Sequence, residues 1–343
     1  MVKLMAKTNV ATAVGACCAI VALIGVVGVT RAEQRQEARE ENAGGLEVLQ
    51  LRPNFYMIVG AGGNIAVQAG PDGVVVVDAG SAANADAVVA AIAKRADRPI
   101  RYIIDTSADP DHVGGNERLS KAGETLFNLN SPTATAMTNG GAATILSAEK
   151  VLLRMSAPAG QTASFPSTAW PTETFYQPRR YMYLNGEGIE VLHQPAAHTD
   201  GDSVVFFRKS DVVVAGDILD TARFPMIDVA RGGGIQGEID ALNRIVDLAI
   251  PSIPFDWRDE GTYVIPGHGR LYDQPDVVEY RDMVVIIRDR IRAMIKQGKT
   301  RDQIKAASPT QGYNSRYGAS SGPWTTDMFV DAIYTSLTRE KQP

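Results

Sequence analysis

The sequence predicts a mixed α/β fold in which two βα halves pack sheet to sheet with helices outside. Strand-like runs followed by helical periodicity occur twice along the chain. Some strands are continuous apolar runs, Val74-Val75-Val76-Val77 being the clearest, as expected where both faces are covered. With 343 residues, 45% hydrophobic and 21% charged, the chain can build a large core, which excludes collagen-like, disordered and disulfide-rich classes.

The elements follow in chain order. Lys3 and Lys7 precede an uncharged, mostly apolar run over residues 8–30 that Arg31 ends, with a small-residue Thr30-x-Ala32 site before Glu33. Residues 1–32 thus have the pattern of a secretory signal, and the run, at about 20 residues, is also long enough to span a bilayer uncleaved. We expect a signal peptide or a membrane anchor, and an exported protein, periplasmic or secreted. Both cysteines, Cys17 and Cys18, lie in this segment, so the rest of the chain has no thiolate ligand, nucleophile or disulfide. The segment carries three positive charges and no acid, so its removal takes the net charge from -5 to -8. No basic excess exists to bind a phosphate backbone, so nucleic acid is not expected as a partner. Nothing in the sequence sets the oligomeric state.

Past a charged linker, strands are expected over 55–59 and 64–68, joined through Gly60-Ala61-Gly62-Gly63. Ile65 stands where a dinucleotide fingerprint needs its third glycine, and a strand follows instead of a helix, so the cluster is read as a hairpin turn. The valine strand comes next, then an alanine-rich helix to about Lys94 capped by Ser81. A buried strand over 100–104 delivers the chain into Asp105-Thr106-Ser107-Ala108-Asp109-Pro110-Asp111-His112-Val113-Gly114-Gly115-Asn116, where Asn116 is expected to cap a short helix ended by Gly123. Residues 130–179 are irregular, with helical patches at 134–137 and 148–155, and their position and length suggest that they cover part of a cleft. Strands resume at 181–184, 189–193, 203–208, 211–215 and 263–266. Helices are expected at 238–250, at 276–296 between Pro275 and Gly298, and at 326–337.

Only four histidines are present. His112, His198 and His268 each follow a strand, in loops rich in Gly or Asp, and Asp217 closes another strand; His193, outside any such loop, reads as structural. Loops at one edge of a sheet bring ligands together from distant positions, and imidazole with carboxylate is the donor set for zinc or a similar divalent ion. Other catalytic strings fail on context. Gly318-Ala319-Ser320-Ser321-Gly322 has no strand before it and no histidine after it, and Gly298-Lys299-Thr300 lacks the upstream glycine of a phosphate loop.

Four motifs in order then resemble the metallo-β-lactamase superfamily: Thr106 with Asp111-His112 and Gly114-Gly115, His198-Thr199 with Gly201-Asp202, Gly216-Asp217, and Gly267-His268-Gly269. The resemblance implies a four-layer αββα metallo-β-lactamase sandwich, with a core over about 50–270 and a C-terminal helical extension over 271–343, as one domain spanning 33–343. It implies a metal-dependent hydrolase, with zinc as the metal, one ion or two, acting on a lactam, lactone, thioester or other ester. Its metal ligands would be Asp109, Asp111, His112, His198, Asp217 and His268. Asp111 would orient the attacking water, and His198 would act as ligand or acid/base. The chain departs from the family where two leading histidines belong, having Ser107 and Asp109 instead. The second metal set is complete and the first has lost two imidazoles. The alternative is therefore a catalytically impaired, non-enzymatic metal- or ligand-binding periplasmic protein on the same scaffold. Asp200 and Asp202 are expected either to support the site or to cap their loop.

Overall fold

A computed structural model describes residues 40–42, 45–126, 141–157, 161–252 and 261–339. The leader and the helical patch expected at 134–137 lie outside these residues. The chain divides into two compact units, Met1–Glu41 and Asn42–Pro343, and the second carries all that follows. Among the described residues no helix is long and apolar enough to cross a membrane.

From Leu46 onward, seven strands lie side by side in chain order: β1 (Leu46–Arg52), β2 (Phe55–Ala61), β3 (Gly63–Gly70), β4 (Gly73–Val77), β5 (Ile100–Ile104), β6 (Thr144–Ala148) and β7 (Glu173–Phe175). The first four pair antiparallel, as short turns allow. From β4 to β7 the pairing is parallel, with α1 (Ala85–Ala93), α2 (Pro110–Val113) and α3 (Asn116–Ala122) among the connections, followed by α4 (Glu149–Met155) after β6. The second sheet holds β8 (Arg179–Leu184), β9 (Glu187–Gln194), β10 (Asp202–Phe207), β11 (Val212–Asp220) and β12 (Tyr263–His268) in the order β12-β11-β10-β9-β8. Only β11 and β12 run parallel, and α5 (Ile235–Leu248) makes the crossover between them. The chain ends with α6 (Gln274–Lys296), α7 (Arg301–Ala306), α8 (Asn314–Tyr317) and α9 (Thr326–Arg339).

Alternation along the strands sorts the core into layers. Val75 and Val77 join Phe55, Phe207, Val214 and Ile265 between the two sheets, whereas Val74 and Val76 face the helix layer with Val88 and Leu119. On the second sheet Val212 and Val214 point inward, while Val213 and Ala215 meet Ile239 and Leu242 of α5 and Val284 and Ile287 of α6. The result is the four-layer αββα sandwich. At its centre Phe55 and Phe207, one from each sheet, meet edge-to-face with ring centroids 4.8 Å apart.

Two expected helix caps are made differently. Ser81 precedes a single 3-10 turn, Ala82–Asn84, and its Oγ accepts a hydrogen bond from Asn84 Nδ2 instead of capping α1. Asn116 lies inside α3, and its amide donates to Asp105 Oδ2 and to the Ala169 carbonyl. In both cases a nearer partner than the helix amide claims the side chain. The strand expected to stop at Ala215 continues to Asp220 through a break in register at Gly216, so Asp217 sits within β11 and not at its end.

Candidate metal centre

The site forms at one edge of the sandwich, where the connections after β2, β4, β5 and β9 and the end of β12 meet the Asp217 stretch of β11. The glycine cluster after β2 is a tight hairpin, as expected from the sequence, and its role is room. A Cβ on Gly62 would stand 3.0 Å from the Asp111 Cβ, and one on Gly63 would stand 3.1 Å from the His112 ring. Gly216 is constrained twice. Its φ is +55°, and a side chain there would meet Thr106 Oγ1 at 2.5 Å. This bulge turns Asp217 into the pocket.

Six side chains singled out from the sequence meet around Asp217. Asp111, His112 and His268 form one group whose donor atoms lie within 4.8 Å of one another, and Asp109, His198 and Asp217 form a second. Asp217 straddles both. Its Oδ1 is 3.0 Å from His112 Nε2 and 3.3 Å from His268 Nε2, while its Oδ2 is 3.8 Å from His198 Nε2. Asp111 Oδ2 lies 3.2 Å from His268 Nε2, and Asp109 Oδ2 lies 2.6 Å from His198 Nε2. Asp109, Asp111, Asp217 and His268 line a pocket of about 190 Å3 together with Asp220, Arg223 and Met226. His198 is fully buried, and Asp109 stands between it and the pocket.

Each buried ring is oriented from behind. His112 Nδ1 bonds Asp78 Oδ2 at 2.7 Å, and the same carboxylate accepts the backbone N–H and the hydroxyl of Thr106. His198 Nδ1 donates to the Met226 carbonyl at 2.6 Å. In both rings Nδ1 is held by an oxygen outside the centre and Nε2 faces into it, the arrangement that prepares a histidine to bind metal. Asp202 accepts from the Thr199 amide and hydroxyl and closes its loop; Asp200 pairs with Arg154. His193 bonds the Asp200 carbonyl and plays the structural part expected of it.

The electrostatics describe a centre short of positive charge. Burial opposes a charged His112, yet Asp217 and Asp78 outweigh it and hold the ring well above its ordinary value. Burial likewise opposes charge on His198 and His268, but Asp109 raises the first to about 10 and Asp111 raises the second to about 9. The first group of donors, two imidazoles with flanking carboxylates, fits a divalent ion of the zinc type. The second is different, because Asp109 Oδ1 also accepts a hydrogen bond from Arg231 Nη1 at 2.7 Å.

The functional candidates that sequence reasoning missed are Asp78, Arg223 and Arg231. Asp78 had one available signal, its place at the end of a buried strand just upstream of a turn. Arg231 had only its glycine-rich neighbourhood.

Comparison with known proteins agrees with this fold. A family model described as the Metallo-beta-lactamase superfamily matches residues 59–268. A linear primary-alkylsulfatase from Pseudomonas sp. is 22% identical over 261 residues, covering 68% of this chain and 47% of that protein. The chain therefore spans about half the length of this relative. Among solved structures, the stereoselective inverting sec-alkylsulfatase Pisa1 from Pseudomonas sp. superposes with a TM-score of 0.57 at 14% identity, over 84% of this chain and 49% of that one. A metallo-beta-lactamase from Pontibacter korlensis gives 0.50 at 15% identity, over 70% of this chain and 98% of its own.

Proposed function

The chain belongs to the metallo-beta-lactamase superfamily, and from that premise we propose that it is a metal-dependent hydrolase of small ester substrates. The observation that carries this reading is the convergence of Asp111, His112 and His268 on Asp217 at the floor of one pocket. These four residues would hold the ion. When bound, a divalent ion supplies a Lewis acid that brings the pKa of a water toward neutrality and polarises an ester oxygen.

The chain's own groups do the rest. Asp78 fixes the His112 tautomer. Asp111, the most exposed carboxylate of the set, orients the attacking water and receives its proton. His198 acts through Asp109, since only the carboxylate reaches the pocket. Arg223, held by Asp220 at 2.7 Å, presents a cation to the pocket wall, placed for negative charge on the substrate. Beside Asp111 a second, largely apolar hollow of about 510 Å3 is lined by Ala82, Pro110, Phe165, Pro166 and Ala169 and suits the hydrocarbon part of an ester. It draws on the irregular segment expected to cover the cleft.

Arg223 and the apolar hollow favour an alkyl ester with an anionic head, such as the alkyl sulfates that give two relatives their names; lactams, lactones and thioesters are the other class considered. Zinc-reconstituted protein assayed on linear alkyl sulfates, a lactam, a lactone and a thioester tests the reading. We expect turnover on at least one class, abolished by chelation and by His268→Ala. Bound metal with no turnover on any class, unchanged by His268→Ala, would instead identify a binding protein. Residues 1–32 support export or membrane anchoring, to be checked by fractionating cells and sequencing the mature N-terminus.

A further inference from the structure

We propose that the Arg231 guanidinium is the resident cation of the Asp109–His198–Asp217 group, so that the centre takes one divalent ion, at Asp111, His112 and His268, and not two. The inference rests on the metal-dependent reading above and concerns how the site is filled.

Both oxygens of Asp109 are engaged, Oδ2 with His198 Nε2 at 2.6 Å and Oδ1 with Arg231 Nη1 at 2.7 Å. Ser107 offers a neutral hydroxyl in place of an imidazole, a poor ligand for an ion of the zinc type, and its Oγ accepts the Asp109 amide N–H at 3.3 Å. What remains is one imidazole and one carboxylate oxygen, Asp217 Oδ2, whose partner Oδ1 faces the neighbouring group. A guanidinium stays charged at any pH at which the protein is folded. Arg231, shared with Asp228, thus sets a positive charge against Asp109 where it stands, while Asp111 and Asp217 keep two negative charges for one divalent ion.

The arginine is built into place. Its amide donates to Asp228 Oδ1 at 3.0 Å and its Nε lies 3.3 Å from Asp228 Oδ2. Its carbonyl accepts the Asp200 amide at 3.0 Å, and Asp228 in turn donates to the His198 carbonyl at 2.8 Å. Gly233 seals the contact, because a Cβ there would come within 2.1 Å of that carbonyl. The loop bearing Arg231 is therefore fastened to the loop bearing His198, and the guanidinium position follows from both.

The test is metal stoichiometry. Chelator-stripped full-length protein is titrated with Zn2+ by calorimetry and with Co2+ by visible absorption, and its metal content is measured after desalting. We expect one ion per chain in the natural protein, two in Arg231→Gln, and one again in Arg231→Lys, which restores the charge. Two tightly held ions in the natural protein would overturn the inference and leave the hydrolase reading standing. No bound ion would overturn both. An Arg231→Gln protein that is folded by circular dichroism yet still holds one ion would also overturn the role given to Arg231, and the measurement on the natural protein decides the stoichiometry even if that variant fails to fold.

Discussion

Asp78 Oδ2 lies 2.7 Å from His112 Nδ1, both groups fully buried, and this contact decides which nitrogen of His112 faces the metal centre. Asp78→Asn keeps the shape but offers an amide where the ring N–H needs an acceptor. The ring then shifts its proton to Nε2, the nitrogen that must bind the ion. Metal affinity is expected to fall by about 10–100-fold. A competition titration against a fluorescent chelator measures it, and an unchanged affinity would show that Asp78 serves Thr106 alone.

Gly216 tests the bulge that aims Asp217. Alanine there adopts a left-handed φ of +55° and places a Cβ 2.5 Å from Thr106 Oγ1, whose hydroxyl is bound to Asp78. Strain of this kind costs about 1–3 kcal/mol, and the clash adds to it. Gly298 is the control. It has a φ of +77° with nothing among the described residues within 4 Å of an added Cβ, so Gly298→Ala carries the backbone cost only. Urea unfolding should rank Gly216→Ala as the less stable variant, with weaker metal binding as well; equal midpoints would mean that Thr106 yields freely.

Glu238 predicts a pH dependence. It is fully buried on α5, neither carboxylate oxygen has a hydrogen-bond partner among the described residues, and burial, reinforced by Asp202, holds its pKa well above the ordinary 4.5. The folded state therefore favours the protonated acid. Its contribution is fully present below pH 4.5 and is lost as pH rises toward the raised folded value. Glu238→Gln removes the titration. At pH 8 the variant should be more stable than the natural protein, and at pH 4 the two should converge. Thermal melts at both pH values check this, and a gap independent of pH would point to packing in place of charge.

The parts of the site legible in the sequence are those whose local setting is itself a signal. His112, His198 and His268 follow strands in Gly- and Asp-rich loops, and the layer order of the fold follows from valine runs and their alternation. Asp78 and Arg231 are different. Asp78 acts on His112 from 34 positions away, through the parallel pairing of β4 with β5, and Arg231 reaches Asp109 across 122, through the packing of the two sheets. Local propensity also misled where a tertiary partner was nearer, as when Asn116 turned to Asp105 and left the start of α3 to Gly115.

The altered first motif is itself testable. Ser107→His with Asp109→His supplies the two imidazoles that the resemblance calls for and takes from Arg231 the carboxylate it holds. If Arg231 is the cation of that group, the double variant gains a second ion while losing the carboxylate that faces the pocket. Metal content should rise from one ion to two, and turnover on the natural substrate should fall by at least about tenfold, the scale on which residues supporting a metal centre act. Metal analysis and steady-state kinetics on one preparation read both. A second ion accompanied by faster turnover would mean that Ser107 and Asp109 mark a site in decay; a second ion with slower turnover means that the chain works with the pair it has.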